Sequence, residues 1–323
     1  MTRGGAQSAP VEPAGSVVVL RALGLGDLCT GLPALRAVRR AFSGHRLLVA
    51  APRWQEPLLR SAAAVDAVAD VAGLAPLPAA IADVAVAVNL HGRGPESTER
   101  LLATRPSRLI AFEHPTLPAT QGSPRWRAHE HDVDRWCRLL DESGVRADAS
   151  DLLLPAPDVA SPVEPGTVIV HPGATSAGRR WPADRFARVV QGVAGRGFDV
   201  ALTGSAGEVV LCDQVAALAG VPVTMLAGRT SLVELDAAVA VAGAVVCNDT
   251  GIAHLASAHE TPSVVLFGPT PPSEWGPPDR GPHRALWSGR SGDPHADVVH
   301  DGLLQIDVDE VLDALAEVLP ARV

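Results

Sequence analysis

Short apolar, β-branched runs alternate along this chain with longer Ala-, Leu- and Arg-rich stretches of helical period, and most runs end in turns rich in Gly, Pro or Ser. Runs of that kind predict strands buried on both faces and separated by helices, the pattern of a mostly parallel sheet. The first half predicts strands over Val17–Arg21, Arg46–Ala50, Asp83–Leu90 and Arg108–Phe112, with helices over Thr30–Phe42, Trp54–Ala62 and His129–Ser143.

The prolines Pro155, Pro157, Pro162 and Pro165 interrupt the rhythm, and residues 155–166 are read as a linker. The rhythm then restarts. Strands are predicted over Thr167–His171, Asp199–Thr203, Val223–Leu226, Ala244–Cys247 and Ser263–Phe267, with helices over Asp184–Arg196, Glu208–Leu218, Leu232–Ala242 and Gly251–Ser257. Gly268–Pro282 reads as an ordered surface loop, and Val308–Leu319 as an amphipathic helix able to pack across the domain boundary. The division is a tail over 1–16, one Rossmann-like α/β domain over 17–154, the linker, a second such domain over 167–306, and a terminal helix over 307–323.

Composition narrows the class. The 323 residues are enough for two domains, and 47% hydrophobic with 20% charged residues is globular. A formal charge of -9 offers no general attraction to nucleic acid or to anionic membrane, so any phosphate site must be local. Cys29, Cys137, Cys212 and Cys247 form no C-x-x-C pair, which favours a reducing, cytoplasmic setting over a disulfide framework. No apolar stretch is long enough for a membrane span, and a monomer is the simplest expectation.

The candidate chemistry sits at strand ends, where doubly wound sheets place their ligands. Strand one runs into Gly24-Leu25-Gly26-Asp27, a turn that lets backbone approach a ligand closely but does not spell G-x-G-x-x-G, since Cys29 stands where the third glycine would be. Neither half supplies that fingerprint, which argues against a dehydrogenase. Asp27 has two readings, a base facing an acceptor hydroxyl or the cap of a helix beginning near Thr30. After His171, the hydroxyls of Thr175 and Ser176 and the paired Arg179 and Arg180 make a diphosphate clamp or an exposed basic corner. Glu208 is suited to ribose hydroxyls or to capping its helix. Asp249, Thr250, Gly251 and His254 follow an apolar strand into a helix, and Thr270 ends the next strand. His171, His254 and His259 share no zinc-ligand spacing, so no metal is assigned.

These motifs in order resemble the heptosyltransferase family of bacterial glycosyltransferases, glycosyltransferase family 9, over roughly Val17–Leu319. The marks are Gly24-Leu25-Gly26-Asp27 with Leu32-Pro33-Ala34-Leu35, His171-Pro172-Gly173-Ala174, Arg179-Arg180-Trp181-Pro182, and Asp249-Thr250-Gly251 with His254-Leu255-Ala256. The resemblance implies a GT-B fold of two Rossmann-like domains around a deep cleft and an inverting, metal-independent transfer of heptose from ADP-heptose, with no cofactor. It implies Asp27 as general base, Arg179 where relatives commonly carry a phosphate-neutralising lysine, Thr175 and Ser176 at the phosphates, Glu208 at the ribose, and Asp249, Thr250, Gly251 and His254 in the donor signature. The acceptor it leaves open is a lipopolysaccharide core, which would place the enzyme at the inner membrane face, or a soluble product such as an aminocyclitol. A transferase using a UDP- or GDP-sugar, and a nucleotide-sugar-binding protein without activity, are the remaining alternatives.

Overall fold

The computed structural model describes residues 15–63 and 65–319; most of the expected N-terminal tail, and the last residues of the chain, lie outside this range. In the first half, β1 (Ser16–Leu20), β2 (Arg46–Ala51), β3 (Ala67–Asp70), β4 (Val86–Asn89) and β5 (Arg108–Ile110) form one parallel sheet in the order β3-β2-β1-β4-β5. In the second, β6 (Val168–His171), β7 (Val200–Leu202), β8 (Thr224–Met225), β9 (Ala244–Asn248), β10 (Ser263–Phe267) and β11 (His283–Trp287) form another in the order β11-β10-β9-β6-β7-β8, again parallel. Both orders reverse beside the first strand of their half, between β1 and β4 and between β6 and β9. A crevice opens at such a reversal, beyond the carboxyl ends of the strands.

The central strands are buried on both faces, as their unbroken Val, Ile and Leu runs require: Val17, Val18, Val19, Val168, Ile169 and Val170 are fully buried. Helices α1 (Leu25–Ala41), α2 (Glu56–Ala63), α3 (Glu96–Leu102) and α4 (Asp132–Glu142) cover the first sheet. The second is covered by α5 (Ala183–Gly195), α6 (Val209–Ala219), α7 (Leu232–Val241), α8 (Gly251–Ala258), and the C-terminal α11 (Val308–Val318) that follows two short helices, α9 (Pro272–Trp275) and α10 (Asp301–Leu304). The largest core runs across the boundary, uniting Leu28, Leu32 and Leu35 of α1 with Ile252, Leu255 and Ala256 of α8. Helix α11 buries Val308, Val311, Leu315 and Val318 with Phe186 and Val190, in the second half's own core.

Several sequence expectations shift. Helix α1 begins at Leu25, so the Gly-Leu-Gly-Asp segment read as a loop is its first turn. Asp83 falls outside β4, at φ 51 and ion-paired with Arg105. Trp54 sits on a 3-10 turn, Arg53–Gln55, ahead of α2. His129 and His131 precede α4 and bond the other half instead, His129 Nδ1 to Glu274 Oε1 at 2.7 Å and His131 Nε2 to the Gly276 carbonyl at 3.1 Å. Within the Pro- and Gly-rich stretch taken as loop, Pro272–Trp275 turns as α9. Strands β3 and β11 and helix α3 were not expected.

Candidate active site

The two switch points face each other across a cleft of about 960 Å3. Its N-terminal wall is Gly24, Leu25, Gly26, Asp27 and Trp54; its C-terminal wall is built from the outlets of β6, β7, β9 and β10. The walls meet where the first turns of α1 and α8 touch. A Cβ on Gly251 would lie 2.8 Å from that of Leu25 and 3.0 Å from the Gly26 nitrogen, and one on Gly26 would lie 2.9 Å from the His254 ring. The first turns of both helices therefore border one space: that of α8 brings free N–H groups and a positive dipole end without an acid, whereas that of α1 carries Asp27.

Asp27 is the third residue of α1, and its carboxylate accepts the Gly24 N–H at 3.1 Å. The capping reading holds, at Gly24 rather than near Thr30, and the residue also lines the cleft. Burial raises its carboxyl above the ordinary value; Arg21 opposes that rise and Asp132 adds to it. Arg21 is buried behind it, with its Nη2 4.0 Å from Asp27 Oδ1, 2.8 Å from Asp132 Oδ2 and 2.9 Å from Thr30 Oγ1. Thr30 donates to the same Asp132 oxygen at 2.7 Å, the Arg21 Nε donates to the Asp27 carbonyl, and Trp136 Nε1 donates to Asp132 Oδ1 at 2.9 Å. Burial opposes ionisation of Asp132, but Arg21 and Thr30 outweigh it and hold the carboxyl below its ordinary value. The result is a satisfied buried ion pair that fixes the turn carrying Asp27.

Across the cleft, Arg179 ends a 3-10 turn, Ala177–Arg179, with Nη1 3.8 Å from Asp249 Oδ2. Its Nε is buried with no hydrogen-bond partner, a donor a phosphate oxygen could satisfy. Burial pushes the Asp249 carboxyl up to about 6, Arg179 acting against the rise. Arg180 lines the cleft and donates from Nε to the Ala174 carbonyl at 2.7 Å. Asn248 holds this loop to β9: its Oδ1 accepts the Trp181 N–H at 3.0 Å and its Nδ2 donates to the Pro172 carbonyl at 2.8 Å.

Thr175, Thr250, Gly251 and Thr270 line the same space. Ser176 is the exception: its hydroxyl donates to the Pro294 carbonyl at 2.5 Å, and the residue is not among those lining the cleft, so this geometry does not bring it to the expected phosphate position. Glu208 lines the cleft and caps its own turn. Its Oε2 accepts Ser205 N–H at 2.7 Å and Ser205 Oγ–H at 2.8 Å, capping its turn, while the carboxylate lies so close over Gly173 that a Cβ there would come within 2.0 Å of Oε1. Burial opposes its ionisation, but Ser205, His171 and Arg180 hold the carboxyl below its usual value. His254 lines the cleft at the wall junction, largely buried with its ring centroid 5.8 Å from that of Trp275, and burial lowers its pKa to about 4.

The sequence spells D-x-D at Asp132-Val133-Asp134 and Asp307-Val308-Asp309. Neither lines the cleft: Asp132 is locked to Arg21, and Asp307 caps α11 through the Glu310 N–H at 2.9 Å. Among the described residues, no group of three or more His, Cys, Asp or Glu is placed to hold a metal, and no helix is long and apolar enough to cross a membrane. Sequence reasoning missed Arg21, Thr30, Asp132, Trp54, Gln55, Asn248 and Trp275. An arginine closing an apolar strand and an asparagine closing another were the available signals, since such buried polar groups need partners.

Comparison with known proteins shows what the chain is similar to. Lipopolysaccharide heptosyltransferase 2 of Salmonella typhimurium is 29% identical over 216 residues, 58% of this chain and 61% of that protein. The matches to the first three curated relatives span between 33% and 61% of those proteins' own lengths. Among solved structures, a family 9 glycosyl transferase from Veillonella parvula superposes with a TM-score of 0.78 at 18% identity, covering 97% of this chain and 99% of its own. The ADP-heptose lipopolysaccharide heptosyltransferase II of Escherichia coli does so at 0.74 and 21%, covering 94% and 98%. At those identities the likeness establishes the fold, the GT-B pairing of two Rossmann-like domains. The family model for glycosyltransferase family 9 (heptosyltransferase) matches residues 125–291, just over half of the chain and most of the C-terminal wall. The chain therefore belongs to glycosyltransferase family 9, the heptosyltransferase family.

Proposed function

We propose that the protein transfers heptose from ADP-heptose to a hydroxyl of a sugar-containing acceptor, inverting the anomeric centre and using no metal. One observation carries the reading: a carboxylate of raised pKa and a buried, unpartnered guanidinium nitrogen face each other across one cleft, each at the switch point of its own sheet. The name of the Escherichia coli structural neighbour, which specifies ADP-heptose, supports the donor.

The donor lies on the C-terminal wall, its diphosphate at Arg179, Arg180, Thr175 and the first turn of α8, where N–H groups and guanidinium balance the charge. Glu208 reaches the ribose. Asp27 takes the proton of the acceptor hydroxyl as that oxygen attacks the anomeric carbon from the side opposite the diphosphate. The bond from the anomeric carbon to phosphate oxygen breaks, its electron pair leaves with ADP, and Arg179 with the α8 N–H groups stabilises the new charge. A carboxyl raised by burial is a stronger base than an ordinary one, which suits the proton transfer.

The test is a product-resolved assay of ADP-heptose, UDP- and GDP-sugars against an acceptor panel, reading product mass and anomeric configuration. Heptosylated product of inverted configuration in the presence of chelator is expected. Retained configuration, or turnover confined to UDP- or GDP-sugars, would contradict the reading.

A further inference from the structure

Trp54 is half exposed and lines the cleft on the same wall as Gly24 and Asp27. Its turn is tied to the base-bearing loop: the buried Gln55 donates from Nε2 to the Leu23 carbonyl at 2.8 Å and to the Gly24 carbonyl at 3.3 Å. On the other side, the Arg53 N–H donates to Asp70 Oδ1 at 2.9 Å. The backbone turn is thus anchored on both sides, and its half-exposed indole is an apolar surface on the wall that carries Asp27.

The charges around it are one-sided. Of the described N-terminal residues lining the cleft, Asp27 alone carries a charge, while Arg179 and Arg180 stand on the opposite wall together with Glu208, Asp249 and Glu274. Arg53 does not line the cleft and pairs with Asp70 at 3.6 Å. The face of an indole is electron-rich, so it attracts polarised C–H groups and ammonium and disfavours carboxylate or phosphate, and the Asp27 carboxylate pushes the same way.

Resting on the function proposed above, we infer that Trp54 is the stacking floor of the acceptor subsite, and that the ring it takes is a neutral or amine-bearing sugar or cyclitol. The ring lies with its C–H face on the indole and turns a hydroxyl toward Asp27. An acceptor ring bearing an anion on that face meets no compensating cation among the described residues that line this wall.

Three glycosides sharing one ring test this by saturation-transfer NMR titration of the full chain: methyl β-glucopyranoside, its 2-amino analogue, and methyl β-glucuronopyranoside. The first two are expected to bind and the glucuronide to bind about tenfold more weakly; Trp54→Ala is expected to lose about tenfold and Trp54→Phe to retain most of the affinity. ADP affinity, measured alongside, is expected to be equal in all three proteins and reports that the variants are folded. The inference is overturned by unchanged glycoside binding in Trp54→Ala, by a glucuronide that binds as tightly as the neutral ring, or by no binding of either of the first two. Failure of the unsubstituted protein to bind ADP or ADP-heptose would instead defeat the function reading, and the glycoside titration would still decide the role of Trp54.

Discussion

The two walls of the cleft follow one plan and end in opposite chemistry. Each half brings a strand, a small-residue turn and a helix to the reversal point of its sheet. In the first, the third residue of α1 is a carboxylate that takes up the Gly24 N–H and the positive end of its own helix. That end is thereby closed to a phosphate. In the second, α8 begins Gly251-Ile252-Ala253 with no acid in its first turn, and the arginines arrive from the neighbouring outlet of β6. A Rossmann-like scaffold thus does not dictate an anion site; the residues at the helix start decide whether its N-terminus is occupied by the chain's own carboxylate or left open.

Substitutions can break that contrast. Asp27→Asn keeps the shape but removes the proton acceptor, and transfer is expected to fall by about 10²- to 10⁴-fold, read as single-turnover rate. Arg179→Ala attacks the other wall and is expected to cost about 10²- to 10³-fold in kcat/KM for the donor, from lost stabilisation of the leaving group. A loss confined to acceptor KM would contradict its role.

Asp132→Asn removes the partner of buried Arg21 and is expected to cost about 3–5 kcal/mol of stability in denaturant titration. Its effect on pH dependence separates this network from mere packing. Asp132 raises the Asp27 carboxyl and Arg21 lowers it, so removing the Asp132 charge lowers the pKa of the base. The acid limb of the kcat/KM profile, where activity is lost as pH falls and Asp27 protonates, is expected to move to lower pH in this variant. A limb that stays in place would remove the link to Asp27. The smallest effect is expected from Gly251→Ala, whose Cβ would meet Leu25 and the Gly26 backbone. The walls must part slightly, at about 1–3 kcal/mol of stability, and turnover should fall while ADP affinity stays near its original value.

Much of the fold was legible because both central strand sets are buried on two faces and write themselves as apolar runs. The strand ends at Asp27, Arg179 and Asp249 could be located from those runs alone. The start of α1 was not legible, because Gly24 and Gly26 look like helix breakers; Gly24 is the N-cap and Gly26 permits close approach to α8, which the local sequence does not record. The pair Arg21 and Asp132 lies 111 positions apart in the chain, and no local pattern joins them. Ser176 looked like Thr175 until the Pro294 carbonyl claimed its hydroxyl. Trp54 fitted a helical pattern as an apolar residue, and only the observed turn places it in the cleft.

The division of labour between the walls is tested most directly by calorimetric titration of ADP into the unsubstituted protein, Asp27→Asn and Arg179→Ala under matched conditions. Affinity unchanged or tighter in Asp27→Asn, and lost in Arg179→Ala, is the predicted result. Equal losses in both, or a loss only in Asp27→Asn, would put the diphosphate on the wrong wall and contradict the account.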